Sequence, residues 1–229
     1  MEYPHNRPYT ADDLVRIITL LRDPVNGCPW DKVQTHTSIR MNFLEEAYEA
    51  VDALDLDDPV LMCEELGDVL MQVAFHTCME QETGRFTWEQ VCDGVCQKLI
   101  ERHPNIFGTQ PGYEGITDGD ALKNKEKGRR TLADDLESVP RAMPALMRAA
   151  KLQKRAARHG AALQGADAAA LADAAENLQT AQPASAQAEQ AVGELLFAAA
   201  NLARQAGVDP EQALQKANEA FCTAAGPVA

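Results

Sequence analysis

Five carboxylates hold the most evident chemistry in this chain: Glu45, Glu46 and Glu49, then, after 15 intervening residues, Glu65 and Asp68. They belong to a block, Glu45–Asp68, in which ten of 24 residues are Asp or Glu and none is Lys or Arg. A folded element with so much uncompensated negative charge repels itself unless cations bind. Two readings of the block stand at this level: a solvated acidic helix face, or a site for a hard divalent cation. Oxygen-only ligands favour Mg²⁺, with Mn²⁺ as a substitute, over zinc. A di-iron redox centre is disfavoured, because Glu-x-x-His is absent and Asp68 stands where that site needs His.

The elements that must position these groups can be read from apolar spacing. Over 37–54, Met41, Leu44, Tyr48 and Val51 follow a helical period and are expected to form a buried stripe, with Glu45, Glu49 and Asp52 along its edge. From Pro59 to about Gln81, Met62, Leu66, Val69 and Val73 are expected to face the core. The ridge Leu61, Glu65, Val69 sets a carboxylate between two apolar side chains, and Asp68 lies one turn further on. A carboxylate there must be neutralised, paired or bound to metal. The short loop Asp55-Leu56-Asp57-Asp58-Pro59 predicts antiparallel neighbours, which could bring Glu46 and Glu49 opposite Glu65 and Asp68.

The whole chain has 229 residues, 45% hydrophobic and 24% charged, a composition that excludes collagen-like, disordered and disulfide-scaffold classes. Its net charge of −14 argues against nucleic-acid polymers as partners. The six cysteines include no Cys-x-x-Cys pair and are expected to be reduced thiols of a cytoplasmic protein. The N-terminus offers no targeting pattern, and the most apolar run, 195–203, is too short to span a bilayer.

The arrangement Glu45-Glu46-x-x-Glu49 followed by Glu65-x-x-Asp68 resembles the signature of the MazG family of nucleoside triphosphate pyrophosphohydrolases. Further runs agree over roughly residues 10 to 110: Gly27-Cys28-Pro29-Trp30-Asp31, Gln34-Thr35-His36, Glu64-Glu65-Leu66-Gly67-Asp68, and Lys98-Leu99-Ile100-Glu101-Arg102-His103-Pro104 with Phe107. A weaker resemblance continues through 139–146 and 151–156. It implies an all-α helical bundle, usually a homodimer, that cleaves nucleoside triphosphates between the α and β phosphates to a monophosphate and pyrophosphate. It further implies that Glu46, Glu49, Glu65 and Asp68 bind Mg²⁺, that Glu45 orients water or lies just outside the metal, and that Lys98 and Arg102 contact phosphate. Glu45 or Glu49 is the candidate proton acceptor. From spacing alone, Lys98 and Arg102 read equally as surface cations. Trp30 and His36 are candidates to stack on or hydrogen-bond a base; taken singly, they also read as a core Trp and a satisfied surface His. Gly119 stands where the family often has a Trp, which weakens any stacking role there. Lys123 and Lys127 could approach a phosphate or belong to a solvated basic helix.

An internal repeat pairs 64–70 with 190–196, setting Ala191 against Glu65 and Glu194 against Asp68. Asp173 and Glu176 match Glu46 and Glu49, whereas Ala220 and Ala224 replace Lys98 and Arg102. The expected organisation is a catalytic domain over 1–110, a linker with one short helix over 111–141, and a degenerate, alanine-rich copy over 142–229 that packs, dimerises or binds a partner. The expected activity is Mg²⁺-dependent triphosphate hydrolysis in nucleotide-pool housekeeping. The rival is a regulatory protein that senses metal or nucleotide without turnover.

Overall fold

The computed structural model describes residues 3–5, 7–108, 122, 126–128 and 131–226. Among these there are ten α-helices and no strand, so the chain is all-α, as the family resemblance implies. It divides into two compact units, Met1–Glu114 and Gly115–Ala229.

In the first unit, α1 (Ala11–Leu21) is followed by a 3₁₀ turn (Asp31–Val33), α2 (His36–Leu56), α3 (Pro59–Glu82), α4 (Trp88–Arg102) and the single turn α5 (Pro104–Phe107). Helix starts follow local chemistry. The Thr10, Thr35 and Thr87 hydroxyls accept the third backbone N–H of α1, α2 and α4, and the Asp58 carboxylate accepts from Val60 and Leu61 behind Pro59 at the head of α3. Between α2 and α3 only Asp57 and Asp58 intervene, with Asp57 in the left-handed region (φ 53°, ψ 35°). Contacts between the two helices run in opposite chain directions: His36 at the start of α2 meets His76 and Glu80 late in α3, and Glu46 mid-helix meets Gln72. The pair is the antiparallel hairpin that its short loop predicts.

The core gathers at the C-terminal half of α3, where Ala74, Phe75, Cys78 and Met79 meet Val15 and Ile18 of α1, Ile39 of α2 and Trp88 of α4. Burying a side chain such as Phe75 contributes about 2 kcal/mol. Arg22 closes this end: its guanidinium donates to both Glu82 carboxylate oxygens and to the carbonyls of Asp31 and Gln34, tying down the loop that precedes α2.

The expected core stripe of α2 is corrected by the structure. Met41, Tyr48 and Val51 are 60%, 53% and 49% exposed, and Leu44 is half-buried. The buried positions are Ile39, Ala50 and Ala53, and half-buried Glu46 shares their face. Small alanines let α2 lie close to α3, whereas the bulkier stripe points away from this unit's core. Along α3, Met62 and Val69 are half-buried and Val73 packs against the core, but Leu66 is exposed. The contacts of α1 with the core of α3 fall at its C-terminal half, around Ala74, Phe75, Cys78 and Met79.

In the second unit, α6 (Leu132–Glu137), α7 (Ala145–Arg158), α8 (Ala168–Thr180), α9 (Ala186–Gln205) and α10 (Pro210–Ala225) surround an alanine core that includes Ala156, Ala174, Ala191, Ala198 and Ala200. Short α6 lies in the stretch read as a linker with one short helix, and it is followed at once by buried Val139. Buried polar groups are tied to backbone: Gln153 donates to the Phe197 carbonyl at 2.7 Å and Asn201 to that of Ala166 at 2.6 Å. Asp135, only 1% exposed, faces Arg155, Arg158 and His159. Burial alone raises its pKa, but the His159 hydrogen bond and the two guanidinium groups outweigh it and hold the carboxyl below its ordinary value.

Candidate metal centre

The α2–α3 hairpin brings together Glu46 and Glu49 from one helix and Glu65 from the other, with one carboxylate oxygen of each within 4.8 Å of the other two. Spacing explains the convergence: Glu46 and Glu49 are three apart and share a helix edge, and Glu65 lies on the half-buried ridge Leu61, Glu65, Val69. Asp68, one turn beyond Glu65, is half-buried and acts electrostatically on both Glu46 and Glu65.

Three acids at this separation cannot all be comfortable as anions without a cation. Burial raises the pKa of Glu46, with further upward pushes from Asp68, Glu49 and Glu45, against the lowering effect of a Gln72 hydrogen bond. Partial burial likewise raises Glu65, followed by the charges of Asp68, Glu64 and Glu46. Among the described residues no basic side chain acts on either group. The donor set is oxygen only, which suits a hard divalent cation.

Gln72 is the residue that spacing did not single out. Buried in α3, it donates through Nε2 to Glu46 Oε1 at 3.4 Å. Its signal was available, since it lies seven residues after Glu65 and four after Asp68, on the same helical face.

The other expected site residues are placed less closely. Glu45 is exposed beside the cluster and adds to the charge around Glu46. Exposed Lys98 and half-buried Arg102 lie in the later turns of α4, whereas that helix joins the core through Trp88 and Cys92 in its early turns. Trp30, 57% exposed at the head of the 3₁₀ turn, is not a core Trp; its carbonyl accepts from Gln34 Nε2 at 3.0 Å. His36 is engaged by protein groups: Nδ1 is 2.7 Å from His76 Nδ1, the two rings stack 5.0 Å apart, and Nε2 lies 2.5 Å from Glu80 Oε1. Glu80 also pairs with Arg85, so His36 belongs to a network that holds the start of α2 against α3. Lys127 is exposed, and Lys123 lies outside the described residues. No helix among the described residues is long and apolar enough to cross a membrane.

Residues 34–107, which contain all of these carboxylates, match the MazG nucleotide pyrophosphohydrolase domain. The chain is 41% identical over 219 residues to the nucleoside triphosphate pyrophosphohydrolase of Escherichia coli strain K12, covering 92% of this chain and 83% of that protein. It is 38% identical over 212 residues to the nucleoside triphosphate pyrophosphohydrolase/pyrophosphatase MazG of Thermotoga maritima, covering 92% and 82% of the two chains. The nucleoside triphosphate pyrophosphohydrolase of Mycobacterium tuberculosis is 34% identical over 154 residues, 66% of this chain and 46% of that one. A carboxylate cluster on a helical hairpin, a matching domain around it and likeness over nearly the full length together make this chain a member of the MazG nucleotide pyrophosphohydrolase family.

Proposed function

We propose that the first unit hydrolyses nucleoside triphosphates to a nucleoside monophosphate and pyrophosphate, with Mg²⁺ held by Glu46, Glu49, Glu65 and Asp68. The observation that carries this reading is the convergence of three carboxylates, two with raised pKa, with no cationic side chain among the described residues acting on those two. A divalent cation bound there would neutralise the triphosphate and make water a better nucleophile. The Gln72 hydrogen bond opposes the burial that raises the Glu46 pKa and aims its carboxylate; exposed Glu45 is available to take the proton of the attacking water. Water adds to the α phosphorus as the bond to the β-phosphate oxygen breaks, and Lys98 and Arg102 stabilise the departing pyrophosphate. Removing surplus or aberrant triphosphates is the housekeeping role that suits this reaction.

The unit is proposed to act as a homodimer. Met41, Tyr48, Val51 and Leu54 of α2 continue into Leu66 and Leu70 of α3 as exposed apolar residues on a hairpin that carries the site. A second copy covering that face would exclude water from it. All six cysteines are free thiols, which fits the cytoplasm.

The test is a panel of ribo- and deoxyribonucleoside triphosphates with Mg²⁺ or with EDTA, both products being identified. Metal-dependent release of monophosphate and pyrophosphate is expected. A folded protein that binds Mg²⁺ and turns over none of the panel would sink the reading in favour of a sensor. Light scattering checks the dimer, with a mass of one chain as the contrary result.

A further inference from the structure

The chain after Arg141 gathers most of its positive charge in one place, although its basic and acidic residues nearly balance. Of the seven Lys and Arg residues after Arg141, five (Lys151, Lys154, Arg155, Arg158 and Arg204) line one hollow of about 540 Å³. Four of them lie on α7 at spacings of three, four and seven from the first, which is one helical face, and Arg204 reaches in from the end of α9. Among the described residues the one carboxylate in the lining is Asp209, and its Oδ1 is occupied in accepting the N–H groups of Glu211 and Gln212 at the head of α10.

This face is prearranged. Arg155 has only 13% of its side chain exposed and is held by Asp135 and Ser138, and Arg158 shares the same Asp135 carboxylate. Arg204 donates through Nε and Nη2 to Asn201 Oδ1 at 3.0 and 2.8 Å. One buried carboxylate thus orients two guanidinium groups, and exposed Lys151 and Lys154 add two more charges. In a chain of net charge −14, such a focus of positive potential selects multiply charged anions. The remaining wall includes exposed Met147 and Val208, an apolar surface beside the cations.

We propose that this hollow is a binding site for a di- or triphosphate group, separate from the carboxylate cluster and carried by the unit that lost its acids. Inorganic pyrophosphate and a nucleoside triphosphate share the recognised chemistry, and the apolar wall offers the nucleoside a contact that pyrophosphate cannot use. The site is independent of the activity proposed for the first unit, because its arginines and lysines are all outside that unit.

The test is calorimetric titration of the full chain in EDTA with sodium pyrophosphate, ATP and sodium sulfate. Without divalent cations the carboxylate cluster repels phosphate, so binding reports the basic hollow. Saturable binding of pyrophosphate or ATP is expected, with affinity falling at least about tenfold in Lys151→Glu/Lys154→Glu and unchanged in Lys216→Glu, an exposed cation of the same unit outside the hollow. ATP binding more tightly than pyrophosphate identifies a nucleotide site, and equal affinities identify a phosphate site. The milder Lys151→Gln/Lys154→Gln pair gives a smaller loss in the same direction, and circular dichroism verifies that each variant is folded. Equal affinity in wild type and both lysine pairs, no binding at millimolar anion, or sulfate binding as tightly as pyrophosphate would each overturn the proposal. Triphosphate hydrolysis with Mg²⁺, measured in parallel, reads the first unit separately.

Discussion

The hairpins α2–α3 and α8–α9 hold corresponding places in the two units, and their second helices share a pattern, Gly67-Asp68-Val69-Leu70 against Gly193-Glu194-Leu195-Leu196. Their interiors differ in kind. Where Glu65 and Gln72 supply polar groups between α2 and α3, Ala191 and Ala198 are almost wholly buried between α8 and α9. Of the retained acids, Asp173 and Glu194 line an open hollow, and Glu194 accepts a hydrogen bond from Gln190 at 2.8 Å. The comparison teaches that this hairpin needs no carboxylates to form. Alanine closes it better, so the first hairpin keeps mutually repelling acids at a cost in stability, which is the usual mark of a functional site.

The largest expected effect breaks the first hairpin's chemistry. Glu65→Ala converts it to the alanine found at the matching place in the second, and triphosphate hydrolysis is expected to fall about 10³-fold with the fold intact. Steady-state kinetics with circular dichroism checks this, and an unchanged rate would remove Glu65 from the site. The reverse exchange, Ala191→Glu, forces a carboxylate into a position 2% exposed and is expected to destabilise the second unit by about 3 kcal/mol, read by urea denaturation.

A third substitution sharpens the electrostatic contrast. Gln72→Leu removes the hydrogen bond that lowers the Glu46 pKa, so the raised pKa rises further and Mg²⁺ must displace a proton at higher pH. The expected result is a loss of about tenfold in apparent Mg²⁺ affinity near neutrality, with the acid limb of the pH–rate profile moved upward. In the metal-free protein the sign is opposite to that of a salt-bridged acid. Because the folded pKa of Glu46 lies above its unfolded value, the folded state holds more protons between the two, and stability falls as pH rises through that window. The Tm of the metal-free protein relative to Glu46→Gln is therefore expected to fall as pH rises through that window, with Mg²⁺ recovering the difference. The smallest effect concerns the turn. Asp57→Gly relieves a left-handed residue and is expected to gain at most about 0.5–1 kcal/mol by thermal melts, as is Ala184→Gly at the left-handed position (φ 57°) in the longer loop of the second hairpin.

Helix positions, the antiparallel hairpin and the ridge carrying Glu65 were legible because they depend on local period and loop length. The inward face of α2 was not. Met41, Tyr48 and Val51 satisfy the same spacing rule as a core stripe, and apolarity does not distinguish a face turned to the core from one left open, whereas the alanines that do face α3 carry little hydrophobic signal. His36 was similarly opaque, since its partners His76 and Glu80 lie 40 and 44 residues away in sequence and only folding brings them near. At the site itself, residue type and spacing pointed to Glu46, Glu49 and Glu65; the support from Gln72 had to be seen in space.

The turn of only two residues between α2 and α3 has a consequence for how the site comes into being. Its carboxylate-bearing helices are neighbours along the chain, so the carboxylates converge as soon as one loop closes, a contact of low sequence separation, the kind that forms fast. A cation that bridges them would then act on a nascent hairpin as well as on the finished enzyme, clamping two helices while the rest of the unit is still assembling.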